Sequence, residues 1–78
     1  MKIYVGNLPL GTSDANLENL FSPFGAVTAA RVITARYTGR SRGFGFVEML
    51  REYGQQAISE LNGRQIDHIV LRVNEAKA

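Results

Sequence analysis

Apolar and polar residues alternate over Lys2–Gly6, with Ile3 and Val5 on one side and Tyr4 on the other. A side-chain period of two predicts a half-buried strand. Asn7, Leu8, Pro9 and Gly11 end it. Ser13 then offers a helix N-cap, and Asp14 suits the first helical turn by the dipole argument. Leu17, Leu20, Phe21 and Phe24 follow at helical spacing, which assigns Phe21 and Phe24 to the core. Pro23 and Gly25 stop this helix. Over Val27–Thr34 the period is two again, Ala30 and Val32 facing one way, Arg31 and Ile33 the other. Residues 35–41 contain Gly39 and polar side chains and read as a loop. A third strand follows over residues 42–49, joined to the second as an antiparallel hairpin. From Arg51 to Leu61 the period is helical, with Ala57, Ile58 and Leu61 as the buried stripe and Asn62-Gly63 as the stop. Residues 64–66 predict a short extra strand turning at Asp67-His68. The last strand, over residues 70–74, points Leu71 and Val73 inward and Arg72 and Asn74 outward.

This order predicts an α+β, ferredoxin-like βαββαβ fold, a four-stranded antiparallel sheet with two helices packed on one face. The other face is then bare, and the third strand decides what lies on it. Phe44 and Phe46 share a side with Arg42, while Gly45, Val47 and Met49 share the opposite side. Both sets cannot be buried against a single layer of helices. The aromatic set is surplus to folding, and Tyr4 falls on the same bare side. Exposed aromatics beside cations stack on nucleobases and hold phosphates.

Composition narrows the classes. A chain of 78 residues suits one domain, residues 1–78, with a small core. There is no cysteine and one histidine, His68, so neither a thiolate metal site nor histidine-based catalysis has its parts. No apolar run approaches membrane-spanning length, and no signal-peptide core follows Lys2. These features lead us to expect a soluble cytoplasmic protein with no membrane partner. The net charge of +2 says little, but Arg31, Arg36, Arg40 and Arg42 all fall between Glu18 and Glu48 with no acid among them. Charge alone would fit a solvated loop. Beside an aromatic strand it favours a polyanion partner. Tyr37, in the same loop, fits either a mobile aromatic contact or, the preferred reading, an ordinary loop residue.

The octamer Arg42-Gly43-Phe44-Gly45-Phe46-Val47-Glu48-Met49 resembles the longer signature of the RNA recognition motif at every position but Met49. Residues 3–8, Ile-Tyr-Val-Gly-Asn-Leu, are similar to the family's shorter hexamer. Phe24-Gly25-Ala26-Val27 and Leu61-Asn62-Gly63 are similar to its structural landmarks. The resemblance covers essentially the whole chain and is especially close to small single-domain bacterial RNA-binding proteins. It implies stacking of bases on Tyr4, Phe44 and Phe46. It implies phosphate or polar contacts from Lys2, Asn7, Arg31, Arg40, Arg42, Arg72, Asn74 and Lys77. Single-stranded RNA is the implied partner, with single-stranded DNA left open. The implied role is non-catalytic, in post-transcriptional regulation or RNA chaperoning, with no metal or cofactor. The expected state is a monomer, with weak self-association through the apolar sheet face left open. Ala35, Gly54 and His68 depart from the family pattern, where aspartate, alanine and glycine are usual.

Two other classes compete. A protein-interaction module could use the same sheet face, although all three platform aromatics are present. A small enzyme could use Asp67 and His68, but adjacent residues in a turn point apart and no nucleophile accompanies them. Gly43-Phe44-Gly45 lies within a strand and so is not a phosphate loop.

Overall fold

The computed structural model describes residues 1–77. Its elements are β1 (Lys2–Gly6), α1 (Asp14–Phe21), a 3-10 turn (Ser22–Phe24), β2 (Val27–Thr34), β3 (Ser41–Met49), α2 (Arg51–Leu61), β4 (Gln65–Ile66), β5 (Ile69–Val70) and β6 (Arg72–Glu75). The main sheet has the order β2-β3-β1-β6, all pairs antiparallel. The two signature strands are therefore the central ones. This is the expected ferredoxin-like architecture, with a β4-β5 hairpin added between α2 and the last strand.

One face of the sheet is covered. Ile3, Val5, Val47 and Val73 are fully buried, and Leu17, Phe21, Ala57 and Leu61 meet them from the helices. Full burial of a side chain of this size stabilises by about 1.5–3 kcal/mol. Helix α1 starts where Ser13 predicts. The Ser13 hydroxyl accepts from the Asn16 amide at 3.0 Å, and the Asn16 side chain accepts from the Ser13 amide at 3.0 Å. Such reciprocal capping satisfies two otherwise orphaned donors. Asp14 does more than favour the helix dipole. Its carboxylate accepts the backbone amide of Val32 at 2.7 Å, tying α1 to the edge strand β2. Asn62, just past α2, likewise accepts from the amide of Val73 at 3.0 Å.

Several expectations need correction. Phe21 is fully buried, but Phe24 lies in the 3-10 turn and is only half-buried, because Pro23 ends the helix one turn early. The last strand begins at Arg72. Val70 belongs to β5, whose two-residue turn at Asp67 and His68 has φ of 49° and 68°. Positive φ at both turn residues suits the right-handed twist of a tight hairpin. Both residues are exposed. Gly54, whose surroundings helical spacing leaves open, faces the sheet. A Cβ there would lie 2.5 Å from Met1 Sδ and 3.3 Å from Ile3 Cδ1. No helix of the described residues is long and apolar enough to cross a membrane.

Candidate nucleic-acid interface

The open face is built by register. Across the sheet, Arg31 on β2 pairs with Phe46 on β3, Phe46 with Tyr4 on β1, and Tyr4 with Asn74 on β6. A second row runs from Phe44 through Gly6 to Arg72. Cross-strand partners point the same way, so these residues share one surface. No helix covers it.

The three rings form a near-equilateral cluster. Centroids lie 5.9 Å apart for Tyr4 and Phe44, 5.9 Å for Tyr4 and Phe46, and 6.0 Å for Phe44 and Phe46. Phe46 meets both neighbours edge-on, whereas Tyr4 and Phe44 are tilted by 30°. The edge-on contacts follow the ring quadrupoles. All three rings are half-buried by one another and by the strands beneath. Two glycines make the arrangement possible. Tyr4 lies along its strand over Gly6, where a Cβ would fall 2.5 Å from the phenolic oxygen. Gly45, between the phenylalanines, faces inward, where a Cβ would fall 2.5 Å from the Arg31 carbonyl oxygen and 3.0 Å from Leu17 Cδ2.

Cations frame the rings. The Lys2 ammonium sits 4.6 Å from the Phe46 centroid, and the Arg42 guanidinium 5.7 Å from that of Phe44. Such contacts contribute about 0.5–1 kcal/mol at exposed sites. Arg31, Arg42 and Arg72 are exposed. Outside the platform, the loop of residues 35–40 is closed by the Ala35 amide donating to the Arg40 carbonyl at 2.7 Å. It carries Arg36 over the ring of Tyr37 at 5.9 Å, with Tyr37 fully in water. Arg40 is exposed in this loop, and Lys77 is exposed past β6.

The structure thus gathers Lys2, Tyr4, Arg31, Arg42, Phe44, Phe46, Arg72 and Asn74 on one face. Arg40 and Lys77 stand at its borders. Asn7 differs from the rest, because its side-chain amide donates to the Val70 carbonyl at 2.8 Å and ties the end of β1 to the β4-β5 hairpin. The sequence reading does not name Glu48 as a site residue, although parity puts it on the same face, between Lys2 of β1 and Ala29 of β2, and it is exposed there. It also passed over Gly6. The alternation that identified Phe44 and Phe46 could have found Glu48.

The family model described as RNA recognition motif matches residues 3–72. The chain belongs to the RNA recognition motif family. Among its relatives is a chloroplastic 31 kDa ribonucleoprotein of Nicotiana sylvestris, 53% identical over 97% of this chain and 24% of its own length. Another is the mitochondrial glycine-rich RNA-binding protein 4 of Arabidopsis thaliana, 46% identical over 96% of this chain and 56% of its own. The chain therefore spans between a quarter and somewhat over half of these relatives. Among solved structures, the RNA binding protein PG1 superposes with a TM-score of 0.94 at 51% identity, covering 97% of this chain and 93% of that one. The Sxl-lethal protein/RNA complex superposes with a TM-score of 0.94 at 31% identity, covering 99% of this chain and 47% of that one.

These relatives overturn the expectation of a cytoplasmic, bacterial-type protein. Their names are chloroplastic and mitochondrial, and they point to organelles. The resemblance that suggested bacteria concerns the fold of the domain and carries no address.

Proposed function

We propose that this chain acts as one RNA recognition motif, residues 1–78, that binds single-stranded RNA on its open sheet face without bond chemistry. The observation that carries this reading is the three-ring cluster left uncovered by both helices, with Lys2 and Arg42 over two of its rings. Bases stack on Tyr4, Phe44 and Phe46. Stacking tolerates any base because each has a π-face. Arg31, Arg42 and Arg72 hold phosphates, with Arg40 and Lys77 reaching in from the borders and Asn74 supplying a polar contact beside Tyr4. Asn7 acts indirectly, by fixing the hairpin against the end of β1. In the cell this supports post-transcriptional regulation of RNA or RNA chaperoning.

Fluorescence titration with a labelled unstructured RNA octamer, the DNA of the same sequence and an unrelated peptide tests the reading. RNA should bind and saturate, and the Phe46→Ala protein should bind it about 1–3 kcal/mol more weakly. Saturable binding of the peptide with none of RNA would make the face a protein-interaction surface instead.

A further inference from the structure

The open face is basic, with one exception. Lys2, Arg31, Arg42 and Arg72 are exposed on it, and Glu48 is its only carboxylate among the described residues. A surface that only held phosphates would gain nothing from an acid at that place. Glu48 also forms no salt bridge among the described residues. The single salt bridge among the described residues joins Arg51 to Glu75, away from the rings. Lys2 is the direct cross-strand partner of Glu48, yet its ammonium sits over the Phe46 ring. On the other flank, Glu48 pairs with Ala29, whose small side chain leaves the carboxylate open. The result is a recess of about 290 Å³ lined by Lys2, Ala29, Arg31, Ile33, Phe46 and Glu48.

An ionised carboxylate only accepts hydrogen bonds, and its two oxygens can take two parallel donors. Phosphate contacts position a nucleic acid, while contacts to base edges select its sequence. Guanine presents two adjacent donors on its Watson–Crick edge, N1–H and the N2 amino group, with the O6 acceptor beside them. Adenine and cytosine each present one amino donor next to a ring nitrogen whose lone pair would face the carboxylate. Uracil presents one N–H between two carbonyl oxygens. Guanine alone offers both Glu48 oxygens a donor and leaves an acceptor for Lys2 or Arg31. Resting on the reading that this face binds single-stranded RNA, we propose that Glu48 is a specificity-determining residue that selects guanine for the nucleotide beside Phe46.

The test uses four labelled RNA octamers, all uridine except for guanine, adenine, cytosine or uracil at one central position. With the wild-type chain the guanine octamer should bind about ten-fold more tightly than the all-uridine one, with adenine and cytosine between. Glu48→Gln and Glu48→Ala should move the two extremes in opposite directions. The guanine octamer weakens because a pair of acceptors is lost. The all-uridine octamer tightens because a negative charge near the phosphates is removed. The two should then fall within about two-fold of each other. Equal affinities in the wild type would overturn the proposal. So would a guanine preference that persists in both variants, or a loss of equal size on all four probes. If no octamer binds the wild type, or if Phe46→Ala binds them as the wild type does, the failure lies with the RNA-binding reading itself.

Discussion

On the helix-covered face of the sheet, Ile3, Val5, Val47 and Val73 are removed from water, while on the open face Tyr4, Phe44 and Phe46 keep part of each ring exposed. Most of these residues alternate along the same two central strands, and both sets are apolar. Hydropathy does not separate them. The number of layers does, because two helices cover one face and, among the described residues, no third layer covers the other. The inner face is packed to contact, and at Gly45 there is no room for a single methyl group. The outer rings touch one another and the strands beneath, with cations over Phe44 and Phe46. Their remaining apolar surface is free to stack with a ligand. The middle of β3 is therefore bulky outward at Phe44 and Phe46 and minimal inward at Gly45, with Val47 and Met49 completing its inner face.

The sharpest way to break this contrast is Gly45→Ala. Its Cβ would meet backbone of β2, which cannot rotate away as a side-chain tip can. Overpacking of this kind should destabilise by about 3 kcal/mol. A denaturant melt that shows a loss below about 1 kcal/mol would mean that the inner face has slack. Next come Phe44→Ala and Phe46→Ala, each expected to weaken RNA binding by about 1–3 kcal/mol. From the sequence, both rings face solvent and folding is little affected by their loss. The structure has them half-buried with edge contacts, so each change should also lower stability by about 1 kcal/mol. A stability loss as large as that of Gly45→Ala would erase the distinction between the faces.

Salt titrations sharpen the division within the open face. Two to four engaged arginines should give log affinity against log salt a slope of about −1.5 to −3. Arg42→Ala or Arg40→Ala should flatten it by up to about 0.7. Phe44→Ala should lower affinity at every salt concentration and leave the slope alone. The reverse pattern would assign stacking and charge to the wrong residues. The smallest effect belongs to Gly54→Ala on the covered face. Alanine gains about 1 kcal/mol of helix propensity over glycine. The methyl must displace the flexible Met1 side chain and press on Ile3. These terms oppose, so thermal or denaturant melts should agree with wild type to within about 0.5 kcal/mol. A larger change of either sign would show which contact was misjudged.

Some of this was fixed by local pattern. Period two in β1 and β3 assigned Ile3, Val5, Val47 and Tyr4, Phe44, Phe46 to opposite faces, and period 3.6 assigned Leu17, Phe21, Ala57 and Leu61 to the core. Ser13 announced its helix because a cap acts within three residues. Other features lie beyond any local window. Asn7 looked like a free polar contact, but it is bonded to Val70 across 63 residues of chain. Helical spacing alone does not say what Gly54 faces, and Met1, more than fifty residues away in the chain, lies against it. Glu48 is an ordinary exposed acid in the sequence. It becomes singular only when four strands bring Lys2, Arg31, Arg42 and Arg72 onto its face. Periodicity reports which residues share a side of one element, since it follows from backbone geometry alone. Which side is covered, and what stands beside it, is set by contacts between distant segments that exist only once the sheet has formed.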